Sequence, residues 1–149
     1  MTTDEMKAVI RRWVEDVWND GNLGRADELM TPDYVVHVGP QDFHGPAGFK
    51  QLCSAYRAAF PDMHIAIDDL IAEGDRVVWR FTARGTQTGQ LFDLPPTGKR
   101  MEIGGFVISR FAGSRWVEDW ANWDVSLMLQ QLGAARVPGA PPAPAPATA

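Results

Sequence analysis

Apolar residues at the start of the chain step by three and one. Met6, Val9, Ile10, Trp13, Val14, Val17 and Trp18 form a single stripe, the signature of an amphipathic helix. Thr2 and Glu5 stand at capping-box spacing before it, and Asn19-Asp20-Gly21-Asn22 stops it, with Gly21 as a left-handed terminator. A short second helix is predicted from about Leu23 to Met30, then a strand from Tyr34 to Val38 that Gly39-Pro40 ends. Pro46 suits the first turn of a third helix, whose apolar face is Phe49, Leu52, Cys53, Tyr56 and Phe60 and which Pro61-Asp62 closes.

Beyond this point the period becomes two. Met63 to Ala72 alternates in part, Glu73-Gly74-Asp75 is a turn, and Arg76 to Thr88 is a long strand. Val77, Trp79, Phe81 and Ala83 share its inward face. Arg76, Val78, Arg80, Thr82 and Arg84 share the other, toward solvent or another subunit. A Pro- and Gly-containing loop, Gly89 to Lys99, forms either a pocket rim or a crossing between strands. The next strand runs from Arg100 to Phe111, where Gly104-Gly105 predicts a bulge or bend. The run Arg115 to Leu132 alternates first, with Trp116, Glu118, Trp120 and Asn122 on one face and Val117, Asp119, Ala121 and Trp123 on the other. It turns helical at Asp124. Helices first and strands later predict an α+β domain over residues 1–133, helices packed on one face of a bent sheet that encloses a small-molecule cavity. Residues 134–149 read as a Pro/Ala-rich tail, extended or disordered, and from about Val137 onward dispensable for stability.

Two roles fit Asp124. It stands where the last helix needs an N-cap, and on the parity of Trp116, Glu118 and Trp120. If that face is inward, an apolar aromatic site raises its pKa and makes it a general acid/base. His37 is either a hydrogen-bonded structural histidine or a second proton-transfer group. Trp13, Tyr56, Trp79, Phe106 and Trp120 are candidate walls. Glu118 is either a pocket partner of Asp124 or a solvated rim residue.

Composition narrows the function classes. Six Trp and seven Phe among 149 residues suggest an aromatic-lined cavity, and a net charge of -5 argues against nucleic-acid binding. The only cysteine, Cys53, lies on a helical apolar face as a buried thiol, and no His/Cys spacing suits a metal. No stretch has signal-peptide or membrane-span character, so a cytoplasmic location with no membrane partner is expected.

The segments AFPDMHIAIDDLIAEGDRVVWRFTARGTQTG, PPTGK and RWVEDWANWDVSLMLQQLG resemble the SnoaL-like polyketide cyclase (ester cyclase) family of the nuclear-transport-factor-2-like superfamily. The resemblance covers nearly all of residues 1–133. It implies a cone-shaped fold, with a strongly curved antiparallel sheet and helices packed on its concave face around a pocket. It also implies cofactor-free intramolecular aldol cyclisation of a hydrophobic carbonyl compound, an acid/base aspartate at Asp124, and a homodimer formed through the outer sheet face. His37 matches a histidine that relatives often carry. Two departures stand out: Gln87 replaces the histidine of a GTHTG motif, and Ser109 and Arg110 occupy the strand where cyclases place another. A non-catalytic module for hydrophobic ligands, and an epoxide hydrolase or isomerase of the same fold, remain the alternatives.

Overall fold

A computed structural model describes residues 1–134 and Pro144. Helix α1 (Thr3–Trp13) opens with a reciprocal cap: Glu5 N donates to Thr2 Oγ1 at 3.1 Å and Thr2 N to Glu5 Oε2 at 3.2 Å. It continues as a π-helical turn, Val14–Asn19, that widens the helix as it reaches the sheet. Asn19 then behaves as a strand partner. Its amide donates to Ile65 O at 3.0 Å and accepts from Ile65 N at 2.8 Å, and Arg57 covers the carbonyls of Trp18 and Asn19. Helix α2 (Arg25–Leu29) is shorter than its sequence pattern suggests.

Strand β1 (Met30–Val38) begins earlier than Tyr34 and forms a hairpin with β2 (Gln41–His44), an element that the polar segment around Gly39-Pro40 did not announce. Helix α3 (Gly45–Ala59) follows, then β3 (His64–Glu73), β4 (Arg76–Thr86), β5 (Arg100–Ala112), β6 (Arg115–Trp123) and α4 (Val125–Gln131). The six strands form one curved sheet in the order β2-β1-β6-β5-β4-β3. Four of its pairings are antiparallel. β1 and β6 run parallel, so the sheet is mixed rather than wholly antiparallel.

The inward face of β4 is Val77, Trp79, Phe81 and Ala83, all buried, while Arg76 and Arg84 are exposed on the other. α1, its π turn and α3 lie across this inner face. Trp13 anchors the core, with Phe49 and Trp116 each 4.9 Å away between ring centroids. Gly105 is required by this packing: a Cβ there would lie 2.4 Å from the Phe81 ring and 2.8 Å from Trp123 Cβ. Cys53 is buried, and burial pushes its thiol up to about 12, so it stays protonated. Apart from Ala134 and Pro144, the Pro/Ala tail lies outside the described residues.

Candidate active site

The helices and the inner sheet face enclose a cavity of about 50 Å³, walled by Trp13, Trp18, Phe49, Tyr56, Trp79, Phe81 and Trp123 together with aliphatic side chains. That volume holds a few water molecules. It is well short of the roughly 300–1,000 Å³ that drug-sized ligands occupy, so a larger guest enters only by moving wall side chains.

Among the described residues, one carboxylate faces this space. Asp119 lines the cavity from β6 and is 4% exposed. Tyr34 Oη donates to its Oδ2 at 2.6 Å, and Trp116 Nε1 to its Oδ1 at 2.7 Å. Ser109, its cross-strand neighbour on β5, hydrogen-bonds to it as well. The Ser109 hydroxyl is itself oriented, because Trp79 Nε1 donates to its oxygen at 3.1 Å. An indole nitrogen can only donate, so the Ser109 proton is left for Asp119. Burial raises the Asp119 pKa, the three donors pull it down, and the nearby Glu118 charge raises it slightly; the balance sits at about 6. Such a carboxyl exchanges protons close to neutral pH. Burial and the Asp119 charge push Tyr34 up as well, well above its usual value, so it remains a neutral donor.

The sequence pattern placed the site on the opposite parity, and a bulge explains the difference. Phe111 pairs with Trp116 and Arg110 with Glu118, which leaves Val117 as an extra residue in β6. Trp116 points inward before the bulge. After it the faces exchange, so Asp119, Ala121 and Trp123 line the cavity. Glu118 and Trp120 consequently sit on the outer face, where they form no cavity wall, and Phe106 is also outside, 56% exposed. Asp124 is exposed, and its Oδ1 accepts from Leu127 N at 3.0 Å, the geometry of an N-cap for α4. Trp13, Tyr56 and Trp79 do line the cavity. The available sequence signal for Asp119 was its shared parity with Ala121 and Trp123, which period-two counting from Trp116 concealed.

His37 also lies outside. Its inward neighbours on β1 are Tyr34 and Val36, and its own ring joins an outer network. His37 Nδ1 is 2.7 Å from Asp42 Oδ1, and Nε2 is 2.7 Å from Glu118 Oε2. Arg110 Nη2 donates to the other Glu118 oxygen at 2.9 Å. The imidazole stacks on Trp120, and the Arg76 guanidinium lies 5.1 Å from that indole's centroid. Hydrogen bonds to Glu118 and then Asp42 raise the His37 pKa, and His37 and Arg110 lower that of Glu118.

Gln87 is fully buried and organises the loop after β4. Its Oε1 accepts from Thr97 Oγ1 at 2.6 Å and Thr97 N at 3.2 Å, while Nε2 donates to the carbonyls of Leu94 and Pro95 at 3.3 and 3.2 Å. These bonds fold the loop back on itself. Among the described residues no cluster of three or more His, Cys, Asp or Glu side chains is arranged to hold a metal, and no helix is long and apolar enough to cross a membrane.

Comparison with known proteins places this geometry in a family. The profile of the SnoaL-like polyketide cyclases matches residues 8–132. A candidate polyketide cyclase from Acidithiobacillus ferrooxidans is similar in structure, with a TM-score of 0.75, 30% identity, and 87% of this chain and 94% of that one covered. IdmH, a candidate polyketide cyclase from Streptomyces antibioticus, aligns with a TM-score of 0.72 and 31% identity over 85% of this chain and 98% of its own. AclR, a candidate hydroxylase from Streptomyces galilaeus, reaches a TM-score of 0.81 at 27% identity over 91% and 89%. No protein of curated function matches. With most of its length matched by one family profile and its cone-shaped α+β fold shared with those structures, the chain belongs to the SnoaL-like polyketide cyclase family.

Proposed function

We propose that the protein is an acid/base enzyme that closes a ring in a hydrophobic, carbonyl-bearing small molecule by intramolecular aldol addition. The observation that carries this reading is Asp119: a buried carboxylate in an aromatic cavity, held by three donors, with its pKa near 6. As carboxylate it removes a proton from a carbon flanked by two carbonyl groups. The resulting enolate carbon forms a bond to a ketone carbon within the same molecule, and the new alkoxide takes the proton back from the carboxylic acid. No electron transfer is involved, so the step balances without a cofactor. The aromatic walls hold the chain folded for ring closure. The acid/base role expected at Asp124 therefore passes to Asp119, and His37 on the outer face takes no part.

Asp119→Asn tests this with little disturbance. The asparagine oxygen keeps the bond from Trp116 Nε1, and the Tyr34 hydroxyl can rotate to accept from the new amide. Turnover of an aryl β-keto ester that carries a second ketone within reach for ring closure, and that the wild type converts, should fall about 10²–10⁴-fold. Unchanged turnover would sink the proposal. Retention of hydrophobic ligands with no turnover of any of them would instead favour a binding module.

The outer sheet face supports a second proposal, a symmetric homodimer. Half-buried Val78 and exposed Phe106 sit there among arginines already paired within the chain, Arg80 with Asp69 at 2.6 Å and Arg84 with Glu102. A sedimentation mass equal to one chain at micromolar concentration would rule it out.

A further inference from the structure

The cavity has a second polar group, at the end away from Asp119. Tyr56 on α3 and Trp123 on β6 both line the wall, and Trp123 Nε1 donates to the Tyr56 hydroxyl oxygen at 3.0 Å. The two rings meet edge to face, 5.3 Å apart at 88°. An indole N–H cannot accept, so Tyr56 is the acceptor in this pair and its own proton is left over. Among the described residues that proton has no acceptor, although the side chain is buried and only 7% exposed. A buried hydroxyl proton without a partner is uncommon in a folded protein. Burial raises the Tyr56 pKa, so the group stays a neutral donor near pH 7.

Its position defines its task. Trp123 lies four residues beyond Asp119, about 13 Å along β6 at a strand's usual rise. Phe92, exposed on the loop folded by Gln87, stands edge-on to Tyr56 at 5.9 Å, so this end of the cavity lies beside a solvent-exposed ring. Phe92 holds a φ of +51°, an unusual backbone for an aromatic residue, so the loop is shaped to bring that ring to the spot.

We propose that Tyr56 is a specificity-determining contact: its hydroxyl, oriented by Trp123, donates a hydrogen bond to a carbonyl or ether oxygen that the substrate carries remote from the reacting carbon. This rests on the acid/base reading of the cavity and adds to it a requirement on the substrate, an acceptor oxygen at the end opposite the acidic carbon. Remote hydrogen bonds of this kind orient the reacting end and select against analogues that lack the acceptor.

Acetophenone serves as the probe, because the infrared stretch of its carbonyl falls in frequency when the oxygen accepts a hydrogen bond. Spectra are compared for saturated wild type, Trp123→Phe, the double variant Tyr56→Phe/Trp123→Phe, and Asp119→Asn. Replacing both members of the hydrogen-bonded pair by rings of similar shape leaves neither partner unsatisfied, so the double variant should fold. A lowered band is expected in the wild type, Trp123→Phe and Asp119→Asn, and a return to the unbonded frequency in the double variant alone. Affinity, followed by tryptophan quenching, should fall about tenfold or less there, the share of one hydrogen bond. The same band in Trp123→Phe and the double variant would overturn the proposal. So would a shift lost only in Asp119→Asn, a complete loss of binding in the double variant, or no saturable binding to the wild type. Turnover retained by Asp119→Asn would instead defeat the acid/base reading while leaving the infrared result standing.

Discussion

Glu118 and Asp119 are neighbours in sequence and opposites in chemistry. Glu118 projects from the outer face of the sheet, where His37 and Arg110 meet it with positive charge and hold its pKa below the usual carboxylate range. Asp119 projects inward, where its partners are a phenol, an indole and an alcohol, and burial pushes it up to about 6. Neutral donors satisfy the carboxylate's lone pairs without compensating its lost hydration. The difference teaches that hydrogen-bond count does not set a carboxylate's acidity. The charge of the donors and access to water do.

The largest test of this contrast is catalytic. Asp119→Asn should remove nearly all turnover, whereas Glu118→Gln, one residue away on the solvent side, should leave it unchanged. A Glu118→Gln enzyme as impaired as Asp119→Asn would mean that the outer network feeds the cavity, and the two faces would no longer be independent.

Next comes stability against pH. Asp119 has a higher pKa folded, about 6, than the ordinary 3.8 of an aspartate, so the folded chain binds its proton more tightly than the unfolded chain does. This contribution is fully present below about pH 4 and is lost as pH rises through 6. It is on the order of 3 kcal/mol, from about 1.4 kcal/mol per pKa unit. Urea melts from pH 4 to 7 should show that decline in the wild type and a flatter profile in Asp119→Asn. Equal slopes would show that Asp119 keeps an ordinary pKa when folded.

The outer pair titrates with different signs. His37 is raised, so its contribution is present below its unfolded pKa of roughly 6.5 and lost as pH climbs through the higher folded value. Glu118 is lowered, so its contribution is present above its unfolded value and lost as pH falls through the folded one. Both groups are partly exposed and screened, so the effect is smaller than that of Asp119. His37→Gln should abolish the decline above neutrality without altering turnover, which urea melts from pH 6 to 9 and an assay at pH 7 would check.

Much of the fold was legible because period and burial agree. The α1 stripe, the α3 face and the alternation of β4 each contain enough residues for one face to declare itself, and the family segments cover nearly the whole chain. The hairpin β1–β2 was half visible, since Gln41, Asp42 and His44 are exposed and carry no apolar signal for a strand at the sheet edge. The set of cavity-facing side chains was misplaced by one residue of backbone. Val117 interrupts an otherwise regular alternation, and a bulge at a residue with ordinary strand propensity leaves no mark in the sequence. Counting across it sent Glu118, Trp120 and Asp124 inward and Asp119 outward. Gln87 departs from the resembled motif, and its amide has a structural task of its own, offering donor and acceptor groups to both sides of a loop at once.

The smallest effect belongs to Asp124, and it separates capping from catalysis. Its carboxylate accepts from Leu127 N at 3.0 Å in an exposed position at the start of α4, a helix of seven residues. Removing that acceptor by Asp124→Ala leaves the Leu127 amide to water and should cost about 1 kcal/mol, near the middle of the range for N-caps. Asparagine caps as well as aspartate, so Asp124→Asn should melt within a few tenths of a kcal/mol of the wild type. Both variants should keep full turnover, since the group lies outside the cavity wall. α4 does reach back to β5, where Gln131 Oε1 accepts from Glu102 N at 2.9 Å and its amide donates to Glu102 O at 3.0 Å, so a frayed helix would loosen the strand that carries Ser109. Turnover of Asp124→Ala falling in step with its stability would reflect that route, and stabilising the helix elsewhere should restore it. Turnover lost in Asp124→Asn at unchanged stability would return the acid/base role to Asp124 and collapse the contrast between the two faces.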